Sequence, residues 1–166
     1  MEFNPSKCQV IHITRSKNPI PTQYTLHNCI LEYVSSAKYL GVDISSDLSW
    51  DTHINRISKK ANTHGFLRRN IKIDYKSLKS SVYKVLVCPP LEYCSTVWCP
   101  FTDSNISKLE VIHCRSARWL KHDYGKTSSV TDMMQSLHWR RLDQRRIDNK
   151  LSLMYKITHN LIAIFF

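Results

Sequence analysis

A chain of 166 residues with 42% apolar side chains, including four Trp, eight Tyr and five Phe, can bury a core, which excludes a disordered tail. Its three glycines are too few for a turn-rich barrel or sandwich, or for a glycine loop that cradles phosphate. The 24 Lys and Arg against 13 Asp and Glu leave a net charge of +11, spread along the chain, and such a surface calls for a polyanionic partner, nucleic acid above all.

In chain order, Cys8 to Thr14 alternates like a half-buried strand, and Asn18-Pro19 and Pro21 mark the loop that follows. Gln23 to Val34 reads as a second β stretch broken by a hairpin turn at Asn28. Lys38 to Ile44 reads as a third strand, with Leu40, Val42 and Ile44 on one face and Gly41 as a bulge or close approach. After Ser49 the period becomes helical. Ile54, Ile57 and Ala61 predict a helix from Ser49 or Asp51 to about Arg69. Asp74 is the expected cap of a second helix, with Leu78, Val82 and Leu86 on its apolar face and Pro89-Pro90 interrupting it. Asp103 opens a third, carrying Ile106, Leu109, Ile112 and Leu120. Ser129 or Thr131 caps a short fourth through Leu137. Leu142 to His159 forms the last, with Ile147, Leu151, Met154 and Ile157 as its buried stripe. The expected fold class is α+β: a small antiparallel β piece over about residues 8–44, then an all-helical region, with the boundary at 48/49.

No Asp-Asp pair and no Asp-x-Asp is present for two-metal chemistry, so no catalytic residue is assigned. Asp47 and Asp51 read as turn and cap residues. Six cysteines lack zinc spacing. A set of Cys94, Cys99, Cys114 and His122 can be drawn, but it matches no common pattern; buried, reduced thiols are the plain reading, and no metal or cofactor is expected. The amino terminus has no apolar segment to direct secretion, and no run approaches the roughly 18 apolar residues of a membrane span. An intracellular location, nucleus or cytoplasm, and no membrane partner are expected. Two basic clusters stand out: Arg68 and Arg69 at a helix end, and Arg140, Arg141, Arg145 and Arg146 beside Trp139, which can stack on a base or belong to the core. Arg56, Lys59 and Lys60 form a reserve set.

Several phrases, in order, resemble the reverse transcriptases of non-LTR retrotransposons, the jockey-like LINE elements. They are Phe3-Asn4-Pro5-Ser6-Lys7-Cys8, Tyr39-Leu40-Gly41-Val42, Leu48-Ser49-Trp50-Asp51-Thr52-His53-Ile54, Phe66-Leu67-Arg68-Arg69-Asn70, Leu91-Glu92-Tyr93-Cys94-Ser95-Thr96-Val97-Trp98, Leu109-Glu110-Val111-Ile112, Ser129-Val130-Thr131, Leu137-His138-Trp139-Arg140-Arg141-Leu142 and Met154-Tyr155-Lys156-Ile157. Cys88-Pro89-Pro90 departs from the family, where Arg-Pro is common. The resemblance implies the polymerase segment downstream of the catalytic Ala-Asp-Asp motif: the end of the palm over residues 1–48, with Tyr39, Leu40 and Gly41 near the hairpin that supports the primer, and the thumb and region beyond it over residues 49–166. The parent's fingers and the rest of its palm, with the metal-binding aspartates, are then missing, and the apolar end Ile162-Ala163-Ile164-Phe165-Phe166 is expected to be a truncation. The implied protein is not an enzyme by itself but carries a surface for an RNA or DNA template–primer. The alternative is a domesticated thumb-like module that binds nucleic acid or another protein.

Overall fold

The computed structural model describes residues 3–14, 16, 22–62, 64–71 and 75–162, without the side chains of His64 and Arg68. The fold is α+β, short β-pairings followed by helices. The expected Pro19 and Pro21 loop and the Asp74 cap fall outside the described residues. Two compact units, residues 1–53 and 54–166, make up the chain.

The first unit holds three two-stranded pairings. A 3₁₀ turn, Pro5–Lys7, opens it, capped by the Asn4 side chain, which accepts from the Ser6 N–H at 3.0 Å. β1 is shorter than its alternation predicts: only Gln9–Val10 is paired. Its partner is β4, Glu32–Tyr33, and this pairing is parallel, unlike the other two. β4 offers just two residues, because Leu31 before it already donates to the Tyr24 carbonyl and the chain then turns into the next hairpin. β2 (Thr25–Leu26) and β3 (Cys29–Ile30) form a hairpin whose central residues, His27 and Asn28, have φ of 49° and 61°. Positive φ at both positions suits a primed turn, and Asn tolerates it, so Asn28 turns the chain as its type suggests.

The third expected strand proves to be a hairpin. β5 (Ser36–Tyr39) pairs with β6 (Val42–Ser45) in the register Tyr39↔Val42 to Ser36↔Ser45. Leu40 and Gly41, at φ 45° and 86°, form its two-residue turn, so Gly41 is a turn residue and not a bulge. β6 is the buried strand of the pair, with Val42 on one face and Asp43 and Ser45 on the other. The buried His53 ring accepts the Asp43 N–H on Nδ1 at 3.2 Å, which fixes the beginning of β6 to the start of the first helix. Asp47 accepts from the Ser49 N–H at 2.9 Å, a turn contact that holds its carboxyl below the ordinary value.

In the second unit, the helix expected to reach Arg69 is two. α1 is Asp51–Ala61 and α2 is His64–Asn70. Asn62, a weak helix former, directly follows the end of α1. Ile54, Ile57 and Ala61 of α1 and Leu67 of α2 are buried. α3 (Lys76–Val82) runs without a stop into a π-helical turn, Tyr83–Val87, and then α4 (Cys88–Glu92). Pro89 and Pro90 therefore do not end the helix. They lack N–H groups and crowd the preceding carbonyls, and the widened turn, in which the Cys88 N–H reaches back to the Tyr83 carbonyl, makes room for them. The buried face is Lys79, Tyr83, Val87 and Leu91, while Leu78 and Leu86 of the expected face are exposed. Lys79 turns inward because its ammonium lies over the Trp119 ring, 5.9 Å from the centroid.

α5, Asp103–Lys121, is the centre of this unit, and α2, α3, α6 and α7 all pack on it. Leu109, Ile112, Ala117 and Leu120 face the core, and His122 ends the helix in the left-handed region with φ 54°. α6 (Val130–Ser136) starts where expected: the Ser129 hydroxyl accepts from the Asp132 N–H at 3.2 Å. Its Met133 and Met134 pack on Ala117 with Leu137 and Trp139 around them. α7 is Leu142–Thr158, but three of the four residues of its expected stripe are turned out, Ile157 alone of them being half-buried. Ile147, Leu151 and Met154 are 49%, 63% and 58% exposed, and the face that packs carries Leu142 and Arg146.

Candidate nucleic-acid interface

Trp139 is a core residue. Its ring stacks on Tyr83 (centroids 4.0 Å apart) and on His113 (5.1 Å). His113, fully buried, bonds the Arg140 carbonyl through Nε2 at 3.2 Å and the Tyr83 hydroxyl through Nδ1 at 2.7 Å. A carbonyl only accepts, so Nε2 donates and Nδ1 accepts from Tyr83. Burial pushes the imidazole down to about 4, and the Tyr83 phenol far up. The ring system thus fixes the turn before α7 and occupies Trp139 in packing.

The four arginines beside it go different ways. Arg146 is 3% exposed, donates to the Leu91 carbonyl at 2.9 Å and lies over the Trp98 ring. Its place in the phosphate-binding set is corrected: a guanidinium this deep supports structure. Arg145 pairs with Glu92 at 2.7 Å beside Cys88, whose thiol donates to the same carboxylate and is pushed up to about 11, chiefly by burial. Arg140 pairs with Asp148. Arg141 grips Asp143 through Nε at 3.1 Å and Nη2 at 2.8 Å. The side chains of Arg140 and Arg141 remain exposed. Arg69 is exposed at the end of α2, and the Arg68 side chain is outside the described atoms. In the first unit, Tyr39 and Leu40 stand exposed at the tip of the β5–β6 hairpin.

The densest line of cations lies on the outer face of α5. A groove of about 520 Å³ between α1 and α5 is lined by Lys59, Lys108 and Arg115, with Asn55, Ser58 and Val111 among the residues between them. A second groove, about 420 Å³, continues along α5 toward the start of α7 and is lined by Arg115, Arg118, Arg141, Glu110 and Cys114. Ser107, Val111 and Arg115 belong to both. Lys108 donates to Asn55 at 3.1 Å, and Arg118 to the Gly125 carbonyl at 3.1 Å. Both hydrogen-bond partners are neutral carbonyl groups, so neither bond pairs its cation with an acid. From Lys108 to Arg118 the line extends about 15 Å at the rise of an α-helix. Of these residues the basic clusters of the sequence include Arg141, and the reserve set Lys59. Lys108, Arg115 and Arg118 are isolated in the chain, and the signal that finds them is helical: with Val111 they stand at i, i+3, i+7 and i+10.

Among the described residues, no three of His, Cys, Asp and Glu stand together as a metal site would require. None of the six cysteines is in a disulfide. No described helix is long and apolar enough to cross a membrane. Comparison with protein-family models, with curated proteins and with solved structures gave no match.

Proposed function

We propose that the chain is a non-catalytic segment of a retroelement-type RNA-directed DNA polymerase, palm end and thumb, that holds nucleic acid by its phosphates. One observation carries the binding: the two adjoining grooves bring Lys59 of α1 and Arg141 at the start of α7 alongside Lys108, Arg115 and Arg118 of α5. Neither groove is lined by an aromatic residue, so the surface suits backbone contact and not base readout. The ordered phrases shared with the family, and the exposed hairpin tip at Tyr39 and Leu40, support the polymerase origin. The purified chain is expected not to extend a primer with magnesium or manganese.

The deciding experiment changes Lys108, Arg115 and Arg118 together to Ala and measures binding to short duplexes of several sequences across a salt series. Each lost phosphate contact flattens the slope of log affinity against log salt by about 0.9 on DNA. Weakened binding to all sequences alike, with a flatter slope, is expected. An unchanged slope and affinity sink the assignment to α5. The alternative, a domesticated interaction module, draws on the exposed α7 stripe, and a protein partner protecting Ile147 to Met154 from exchange while the α5 variant stays active would favour it.

A further inference from the structure

The second groove is lined by one carboxylate, Glu110, as well as by cations, and a second, Asp143, is paired with its Arg141. Glu110 lies one helical turn before Cys114 on α5, is 9% exposed, and accepts the Asp143 N–H on Oε1 at 3.0 Å, tying the first turn of α7 to α5. Asp143 in turn holds the Arg141 fork through both carboxylate oxygens. A planar carboxylate against a guanidinium occupies the geometry a phosphate would take. Glu110 lines the groove among Arg115, Arg118 and Arg141.

We propose that Glu110, which lines the α5 groove, and Asp143, which holds the groove's Arg141, act as a built-in acidic brake on nucleic-acid binding, so that neutralising either of them tightens binding. This rests on the functional reading above and concerns the regulation of the same surface. The charged and titratable groups around Glu110 are Cys114, Arg115 and Arg118 on α5, and Arg141, Asp143 and Arg146 at the start of α7. Among the described residues, no group of α6 lines the groove. Burial holds the Glu110 carboxyl above the ordinary 4.5, outweighing the N–H it accepts. Asp143 is held low by Arg141. As the pH falls, Glu110 therefore loses its charge first, and the groove gains net positive charge while Arg141 stays paired.

The test uses the full chain, a short duplex DNA of mixed sequence and the variants Glu110→Gln and Asp143→Asn. The Gln amide oxygen still accepts the Asp143 N–H, so the helix start is preserved. At neutral pH and low salt, each variant is expected to bind roughly three- to tenfold tighter than the parent, the effect of removing one near charge from a partly solvated site. Lowering the pH toward the Glu110 range should tighten the parent and close the gap to Glu110→Gln. If Glu110→Gln does not fold, Asp143→Asn carries the comparison. Variants that bind like the parent at every pH, while the Lys108, Arg115 and Arg118 triple change still weakens binding, overturn the brake and leave the binding surface standing. No binding by any of the proteins overturns both.

Discussion

The Arg146 guanidinium donates to the Leu91 carbonyl at 2.9 Å and sits 5.1 Å from the centre of the Trp98 ring. Leu91 and Trp98 are themselves fully buried, so this arginine joins α7 to the end of α4 from inside the core. Replacing Arg146 with Ala leaves a buried carbonyl without its donor and a cavity beside Trp98, and is expected to cost about 2–4 kcal/mol. Replacing Arg140, whose pair with Asp148 is exposed, should change stability by less than about 1 kcal/mol. Urea denaturation of the two variants measures the difference. Equal stabilities contradict the structural role assigned to Arg146.

Trp139 packs against both Tyr83 and His113 and is half-buried. Trp139→Ala should cost about 2–4 kcal/mol through lost packing. Binding per folded molecule should not change. A variant that is stable but loses nucleic-acid affinity would return Trp139 to a base-stacking role.

His113 gives the helical unit a pH dependence whose sign is fixed. Its pKa is about 4 in the fold against an ordinary 6.5, so below 6.5 the unfolded chain binds a proton that the folded one refuses. Stability is complete above pH 6.5 and falls as the pH drops toward 4. The size of the loss is bounded at about 3 kcal/mol by the conversion of pKa shift to free energy. Thermal melts across this range should show the decline, and His113→Gln, which cannot titrate, should flatten it even if it lowers the melting temperature throughout. A parallel decline in both proteins would assign the acid sensitivity elsewhere.

The β5–β6 turn places a leucine at φ 45°, a conformation that costs a branched side chain roughly 1–2 kcal/mol. Leu40→Asn makes an Asn-Gly primed turn and should stabilise the first unit by about 1 kcal/mol, read as slower amide exchange in β5 and β6. Faster exchange in this variant would show that the exposed Leu40 side chain supports the hairpin. If Tyr39, Leu40 and Gly41 act in function, the strained leucine is retained for its contacts, and Leu40→Asn lowers nucleic-acid binding while it raises stability.

Signals that act within a few residues were legible in the sequence. The Ser129 cap, the Asn28 turn, the α5 core positions and the Asp47 turn all depend on local hydrogen bonds or on a single helical period. The β5–β6 hairpin was hidden because leucine is not a turn residue, and Tyr39 to Ile44 alternates well enough for a strand. On α7, two apolar faces compete: Leu142, Leu153 and Ile157 on one side, and Ile147, Leu151 and Met154 on the other. Tertiary packing chose the first and took Arg146 with it, because Leu91 and Trp98 supply an acceptor and a ring. Periodicity alone cannot see those partners. On α3 the wide π turn and the Trp119 ring draw Lys79 inward, against the usual preference of a lysine for solvent. The candidate interface was only partly legible for a related reason. Clustering in sequence favours neighbouring arginines, whereas a helix face collects cations three and four residues apart and grooves add others from a second helix.

The outward stripe of α7 sets a colloidal condition on the molecule. Ile147, Leu151 and Met154 give that side little affinity for water, so long-range repulsion between chains carrying +11 must oppose their contact. That repulsion extends only about 8 Å at physiological ionic strength and about 3 Å at molar salt. Salt that strips the proposed polyanion from α5 is therefore expected to let the apolar stripes meet. A preparation washed free of nucleic acid with concentrated salt should scatter more light as the salt rises, and clear again on dilution.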